Sequence, residues 1–153
     1  MALPNKTVVR RLYQEVWNER KLEVADELIS PSHALVDPNA ADGETGPEAY
    51  KAQVMRLVSA FPDLKFKLQD MICEKDKVVA AWTISGTHKG EYKGIEPTDK
   101  KVLVEGITIH QIADGKILDS LVSWDTLGLL KKIGGVITVE KVAVAGAGKY
   151  RSK

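Results

Sequence analysis

From Lys101 to Gly134 the chain reads KVLVEGITIHQIADGKILDSLVSWDTLGLLKKIG, with apolar residues alternating or clustering on both sides of Asp114-Gly115. β-Branched residues dominate this stretch, which predicts two long strands, about 101–112 and 116–124, joined by a tight turn. A short amphipathic helix follows. Thr108, His110 and Ser120 recur at every second position inside the hairpin, as they would on one wall of a ligand pocket. Two earlier stretches, about 65–73 and 78–88, share the strand period. Before them the period is helical. Val9, Leu12, Tyr13, Val16 and Trp17 mark a first helix, which Asn5 or Thr7 is expected to cap. A second, short helix runs from about Leu22 to Ile29, and a short strand is expected over 33–37. After the turn-rich loop PNAADGETG, Gly46-Pro47 opens a third helix with apolar face Tyr50, Val54, Leu57, Val58 and Phe61, ended by Pro62.

Helices first and strands afterwards predict an α+β fold. The run Val78-Val79-Ala80-Ala81-Trp82 is apolar on both strand faces, so both faces of the sheet need cover. The helices supply one. A second copy of the chain packed on the outer face is the expected source of the other.

Composition narrows the function classes. At 153 residues the chain suits one domain, and it is 44% apolar and 28% charged with a net charge of +1. A chain of this length buries roughly 70% of its unfolded surface. That charge balance offers neither nucleic acid nor an anionic membrane an electrostatic partner. The five arginines fall in helix-like stretches or in the tail. The lone Cys73 excludes an internal disulfide, fits a reducing compartment and reads as a small buried hydrophobe on a strand. MALPNKTVVRR lacks the apolar run of a signal peptide, and no run of about 18 apolar residues occurs. A cytoplasmic location is expected.

Several motifs together resemble the SnoaL-like polyketide (ester) cyclases of the nuclear transport factor 2-like superfamily. They are Gly46-Pro47-Glu48, Ala60-Phe61-Pro62-Asp63, Gly86-Thr87-His88-Lys89-Gly90 and Gly94-Ile95-Glu96-Pro97-Thr98, then Asp114-Gly115-Lys116-Ile117 and Leu127-Gly128-Leu129-Leu130, in family order over about residues 5–134. The resemblance implies N-terminal helices packed into a strongly curved antiparallel sheet, a cone-shaped α+β barrel with an apolar pocket inside. It also implies polycyclic or aromatic substrates and cofactor-free ring closure, in which a carboxylate removes a proton next to a carbonyl. Residues 1–134 form the expected single domain. Residues 135–153 lie outside the resemblance, as an edge strand or a partly disordered extension.

One departure matters. In cyclase members an aspartate base lies seven residues after the turn glycine and a histidine seven before it. Counted from Gly115, those positions here are Val122 and Thr108, so the resemblance carries the fold and the pocket but not the catalytic pair. A three-residue loop, Ala113-Asp114-Gly115, would pair Thr108 with Ser120, His110 with Leu118, Gly106 with Val122 and Val104 with Trp124. It places Thr108, His110, Ser120, Val122 and Trp124 on one face and Asp119 and Asp125 on the other. A two-residue turn at Asp114-Gly115 would instead pair His110 with Asp119.

The three-residue loop is preferred, because it keeps both family positions together. His110, titrating near neutrality on the presumed pocket face, is then the leading replacement base. Asp125 is either a pocket carboxylate or the cap of the helix beginning at Thr126. His88 either fixes a strand end or reaches the pocket, and His33 ranks below both. Tyr13, Trp17 and Trp82 are expected to line the pocket along with Thr108, Ser120, Val122 and Trp124, while serving as core. An enclosed apolar cavity between the first helix and the sheet is expected, walled by Trp17 and Trp124. The histidines lack metal-ligand spacing, so neither metal nor cofactor is expected. Absence of arginine from the strands counts against the superfamily's epoxide-hydrolase branch. Gly146-Ala147-Gly148-Lys149 resembles half a phosphate loop without the rest of the motif. The expected protein is a homodimeric pocket protein for a hydrophobic small molecule. It is either a cyclase or isomerase transferring a proton at carbon, or a non-catalytic binding or sequestering protein.

Overall fold

The computed structural model describes residues 4–37, 45–136 and 138. The chain begins with α1 (Asn5–Arg11), which widens without a break into a π-helical stretch, Leu12–Asn18. Its apolar stripe is buried throughout: Val8, Val9, Leu12, Tyr13, Val16 and Trp17. Neither Asn5 nor Thr7 caps it. Pro4 holds the cap position without a side-chain bond, and its carbonyl takes the amides of Thr7 and Val8. The Asn5 amide donates instead to the Lys75 carbonyl, which ties the helix start to a hairpin turn.

The second helix is shorter than its apolar pattern suggests, a 3₁₀ turn (Leu22–Val24) leading into α2 (Ala25–Leu28). Strand β1 (Ile29–Val36) then begins four residues before the expected strand at His33. Proline at position 31 is compatible with that role because β1 is an edge strand, where one missing amide breaks no inner ladder. Helix α3 (Gly46–Ala60) starts with Pro47 in its first turn and buries Tyr50, Val54 and Ala60.

The remaining strands are β2 (Lys65–Glu74), β3 (Lys77–Thr87), β4 (Lys101–Ala113) and β5 (Lys116–Trp124), and α4 (Thr126–Lys132) follows. With β1 they form one curved, unclosed sheet in the order β1-β5-β4-β3-β2. Cys73, expected to be buried, is exposed because it lies near the end of the edge strand β2. The sheet is not wholly antiparallel as expected, since β1 runs parallel to β5. That pairing joins segments some ninety residues apart and leaves no local sequence signal. Among the described residues no helix is long and apolar enough to cross a membrane. The tail expectation and Gly146-Ala147-Gly148-Lys149 fall almost wholly outside the described residues.

The β4–β5 hairpin corrects the preferred register. Asp114 (φ 52°) and Gly115 (φ 75°) form a two-residue turn between Ala113 and Lys116, with the left-handed backbone such turns need. Ile112 pairs with Ile117, but Gln111 pairs with Asp119, so Leu118 is an extra residue, a β-bulge. The turn alone would have paired His110 with residue 119; the bulge moves it to Ser120. Thr108 therefore faces Val122 and Gly106 faces Trp124. Every expected pair is replaced, yet Thr108, His110, Ser120, Val122 and Trp124 still share a face, because turn and bulge together shift the register by an even number.

Candidate functional site

The shared face looks onto the first helix and α3. A narrow cleft of about 50 Å³ lies between them, lined by Tyr13, Trp17, Tyr50, Phe66, Trp82, Thr108, His110, Ser120, Val122 and Trp124, among others. A wider mouth of about 390 Å³ shares Asp37, Gln53, Leu57 and Trp124 with it and adds Arg56, Ser59, Glu91, Tyr92 and Lys93. In place of the expected enclosed apolar cavity the structure has this narrow cleft. Aromatic rings occupy that space: Phe66 has its centroid 5.1 Å from Tyr13, 4.8 Å from Trp17 and 5.0 Å from Trp82. Trp82 in turn lies 6.4 Å from Trp124. Trp17 and Trp124 do line the cleft, which is its floor rather than a chamber.

Gly106 makes this stack possible. It pairs with Trp82 across β3 and β4, and a Cβ there would lie 2.3 Å from the indole. Substituting Gly106→Val should therefore push Trp82 out of place. Overpacking of this kind costs about 1–3 kcal/mol, readable in denaturant unfolding. A variant with unchanged stability and unchanged tryptophan emission would contradict the packing described.

The floor of the cleft is polar but uncharged. The Tyr13 hydroxyl lies 3.0 Å from His110 Nε2, and His110 Nδ1 lies 2.8 Å from Ser120 Oγ. Ser120 Oγ is in turn 3.1 Å from His33 Nε2. The Trp82 indole donates to Thr108 Oγ1 at 2.9 Å, and Trp17 donates to the Tyr50 hydroxyl at 2.8 Å. At the rim, Trp124 donates to Asp37 Oδ1 at 3.2 Å. Burial pushes both tyrosines well above the usual phenol value, so they stay protonated. Burial, reinforced by nearby His33, lowers His110 to about 3. His33 falls to about 4 for the same first reason, opposed weakly by Asp119. Both imidazoles are neutral at pH 7, and His110 is a much weaker base than its residue type suggests.

Two candidates stand away from the cleft. Asp125 is the cap of α4: its carboxylate accepts the Gly128 amide at 2.9 Å, and it is not among the residues lining this cleft. His88 is fully buried under the 88–100 loop, where its Nδ1 accepts the Thr98 amide at 3.2 Å and lies 2.9 Å from Thr98 Oγ1. Its ring packs against Phe61. Neither residue reaches the cleft. His33 and Tyr50, by contrast, belong to its polar frame. Tyr50 read only as the apolar face of α3, and the place of His33 depends on the parallel β1–β5 pairing. Among the described residues no group of three His, Cys, Asp or Glu side chains could hold a metal ion.

Comparison with known proteins agrees with this architecture. The profile described as SnoaL-like polyketide cyclase matches residues 7–133. Nogalonic acid methyl ester cyclase from Streptomyces nogalater is 30% identical over 120 residues, covering 77% of this chain and 89% of that protein. Among solved structures, TsrD from Streptomyces laurentii superposes with a TM-score of 0.77 at 28% identity, over 86% of this chain and 95% of its own. A SnoaL-like polyketide cyclase from Agrobacterium tumefaciens gives 0.71 at 13% identity, over 86% and 99%, which speaks for the fold alone.

Proposed function

Since this chain belongs to the SnoaL-like polyketide cyclase family, we infer that it is a cofactor-free pocket protein for a hydrophobic small molecule that bears a carbonyl group, and that it binds this molecule without the family's carboxylate-driven ring closure. One observation carries the reading. Thr108 and Val122 are direct cross-strand partners on the cleft face, and the side chain bonded to Thr108 is the neutral indole of Trp82. Deprotonating carbon at neutral pH needs a base of suitable strength, and this floor supplies only neutral donors and acceptors. Apolar rings with a few convergent polar atoms suit recognition of a flat carbonyl compound.

A second reading keeps proton transfer at carbon, with His110 as acceptor. The bonds from His110 through Ser120 to His33 favour it, because an imidazole held by a further donor or acceptor can pass a proton along. Its low basicity weighs against it.

All three tryptophans of the chain line the cleft, so intrinsic emission reports occupancy directly. Titration with aromatic polyketide esters should give saturable quenching without product on the first reading. Turnover abolished by His110→Ala would establish the second. Esters that neither quench nor react would remove both.

The homodimer belongs to the same proposal. Val36, Leu121, Ile109, Val79 and Ile72 are successive register partners across all five strands on the outer face. Four of them are 36–60% exposed, a continuous apolar stripe across the sheet. Sedimentation should show a dimer at micromolar concentration, and Leu121→Lys with Ile109→Lys should give a monomer. A wild-type monomer would refute the assembly.

A further inference from the structure

The hydroxyl of Ser120, a ligand-contact candidate by sequence, is held by two buried side chains instead. It is 1% exposed and lies between two imidazole nitrogens, His110 Nδ1 at 2.8 Å and His33 Nε2 at 3.1 Å. A hydroxyl has one proton. Its oxygen could accept from both rings, but its own proton would then be buried without an acceptor, because Ser120 Oγ has no third partner among the described residues. It therefore donates to one nitrogen and accepts from the other, so one of these two nitrogens carries hydrogen and the other is bare.

For neutral rings only two arrangements satisfy this. In the first, His110 Nδ1–H donates to Ser120, Ser120 donates to His33 Nε2, and both histidines are Nδ1–H tautomers. His110 Nε2 is then bare and accepts the Tyr13 O–H at 3.0 Å, so Tyr13 shows the cleft a lone pair. In the second, His33 Nε2–H donates to Ser120, Ser120 donates to His110 Nδ1, and both histidines are Nε2–H tautomers. His110 Nε2–H now donates to the Tyr13 oxygen, and the phenol proton is released toward the cleft. Thr108, which accepts the Trp82 indole proton, keeps its own hydroxyl proton and is compatible with either arrangement.

We propose that Ser120 and His33 are positioning residues that tie the two imidazole tautomers together and thereby decide whether Tyr13 offers a bound molecule its proton or its lone pair. The proposal rests on the reading of the cleft as a ligand site and names the group recognised there, a carbonyl oxygen. A carbonyl has no proton to give, so its binding selects the second arrangement and moves a proton at His33, two residues removed from any ligand contact. Burial keeps both rings neutral at pH 7, which confines the chain to these two states. A leftover buried polar atom in the chain would weaken the case. Among the described residues the one such atom is His88 Nε2, outside it.

The test is ¹⁵N NMR of the histidine-labelled full chain at pH 7, which separates protonated from bare ring nitrogens. Without ligand, His33 and His110 should show the same tautomer. Saturation with 2-acetylnaphthalene should leave both as Nε2–H, while 2-ethylnaphthalene, of similar shape without the oxygen, should leave the unliganded pattern. A mixed pair, or two Nδ1–H rings with the acetyl compound bound, overturns the proposal.

In Ser120→Ala, His33 should stop following the ligand. The preference for the acetyl over the ethyl compound should fall from about tenfold, the scale of one net hydrogen bond, toward parity. Ser120→Thr should restore both. A preference that survives Ser120→Ala overturns the coupling, and if that variant does not fold, the wild-type spectra decide alone. If neither compound quenches tryptophan emission, the ligand-site reading falls. Matched tautomers in the free protein would still sustain the coupling, and mixed ones would end it.

Discussion

Lowering the pH from 7 to 4 should remove about 3 kcal/mol of folding stability through His110 alone. Its folded-state value of about 3 lies below the ordinary 6.5, so the unfolded chain takes up the proton first. The contribution is whole above about pH 6.5 and is lost as pH falls toward 3. His33, lowered to about 4, adds in the same direction over the same window. Protonating both rings also places Ser120 between two donors and leaves its own proton without an acceptor. For a chain of this size about 3 kcal/mol corresponds to roughly 10 °C in melting temperature. Thermal melts at half-unit steps of pH read this directly. His110→Gln should be less stable at pH 7 yet lose less on acidification, which separates the histidines from surface carboxylates. A wild-type melting temperature that is flat from pH 7 to 4 would show that these rings are not buried neutral.

The second large effect is a gain. Substituting Val122→Asp places a carboxylate directly opposite Thr108, with the Tyr13 and Trp82 donors nearby, at the position where cyclase members carry their base. Partial burial there raises the carboxyl pKa and suits it to removing a proton from carbon. General-base catalysis contributes typically 10²–10⁴-fold. Ring closure of a polyketide methyl ester should rise by about that factor over the natural protein, and Val122→Asn, of the same size without the base, should not raise it. Adding Thr108→His completes the family pair, although that ring must displace the Trp82–Thr108 bond. Natural protein that already closes such rings, at a rate indifferent to His110→Ala and Asp125→Asn, would mean the chemistry lies elsewhere.

How far the residues alone reveal this site follows from the range of the interactions. The strand limits of β2 to β5 are local, written in alternating β-branched residues, and they agree with the structure within a residue or so. The helix cap at Asp125 is local as well: Asp-Thr-Leu-Gly puts a carboxylate three residues before the amide it accepts, at the start of an apolar helical run. The position of His33 is not local, because it depends on a parallel pairing between distant segments. The volume of the cleft was also illegible. Helical spacing shows that Tyr13 and Trp17 point inward, but not that Phe66 fills the gap between them. The bulge at Leu118 was missed for a different reason, since no residue there demands one.

That bulge has an evolutionary consequence. The hairpin carries one residue more than its ladder uses, so a lineage can lose Leu118 and still pair Gln111 with Asp119 beyond Ile112 and Ile117. Each side chain over the cleft would keep its orientation, and the strand would only straighten. Loss of Ile109, a few positions away, would turn Thr108 and everything before it to the opposite surface. Tolerance to shortening is therefore concentrated at a single site in this hairpin, and length variation among homologous chains should accumulate there.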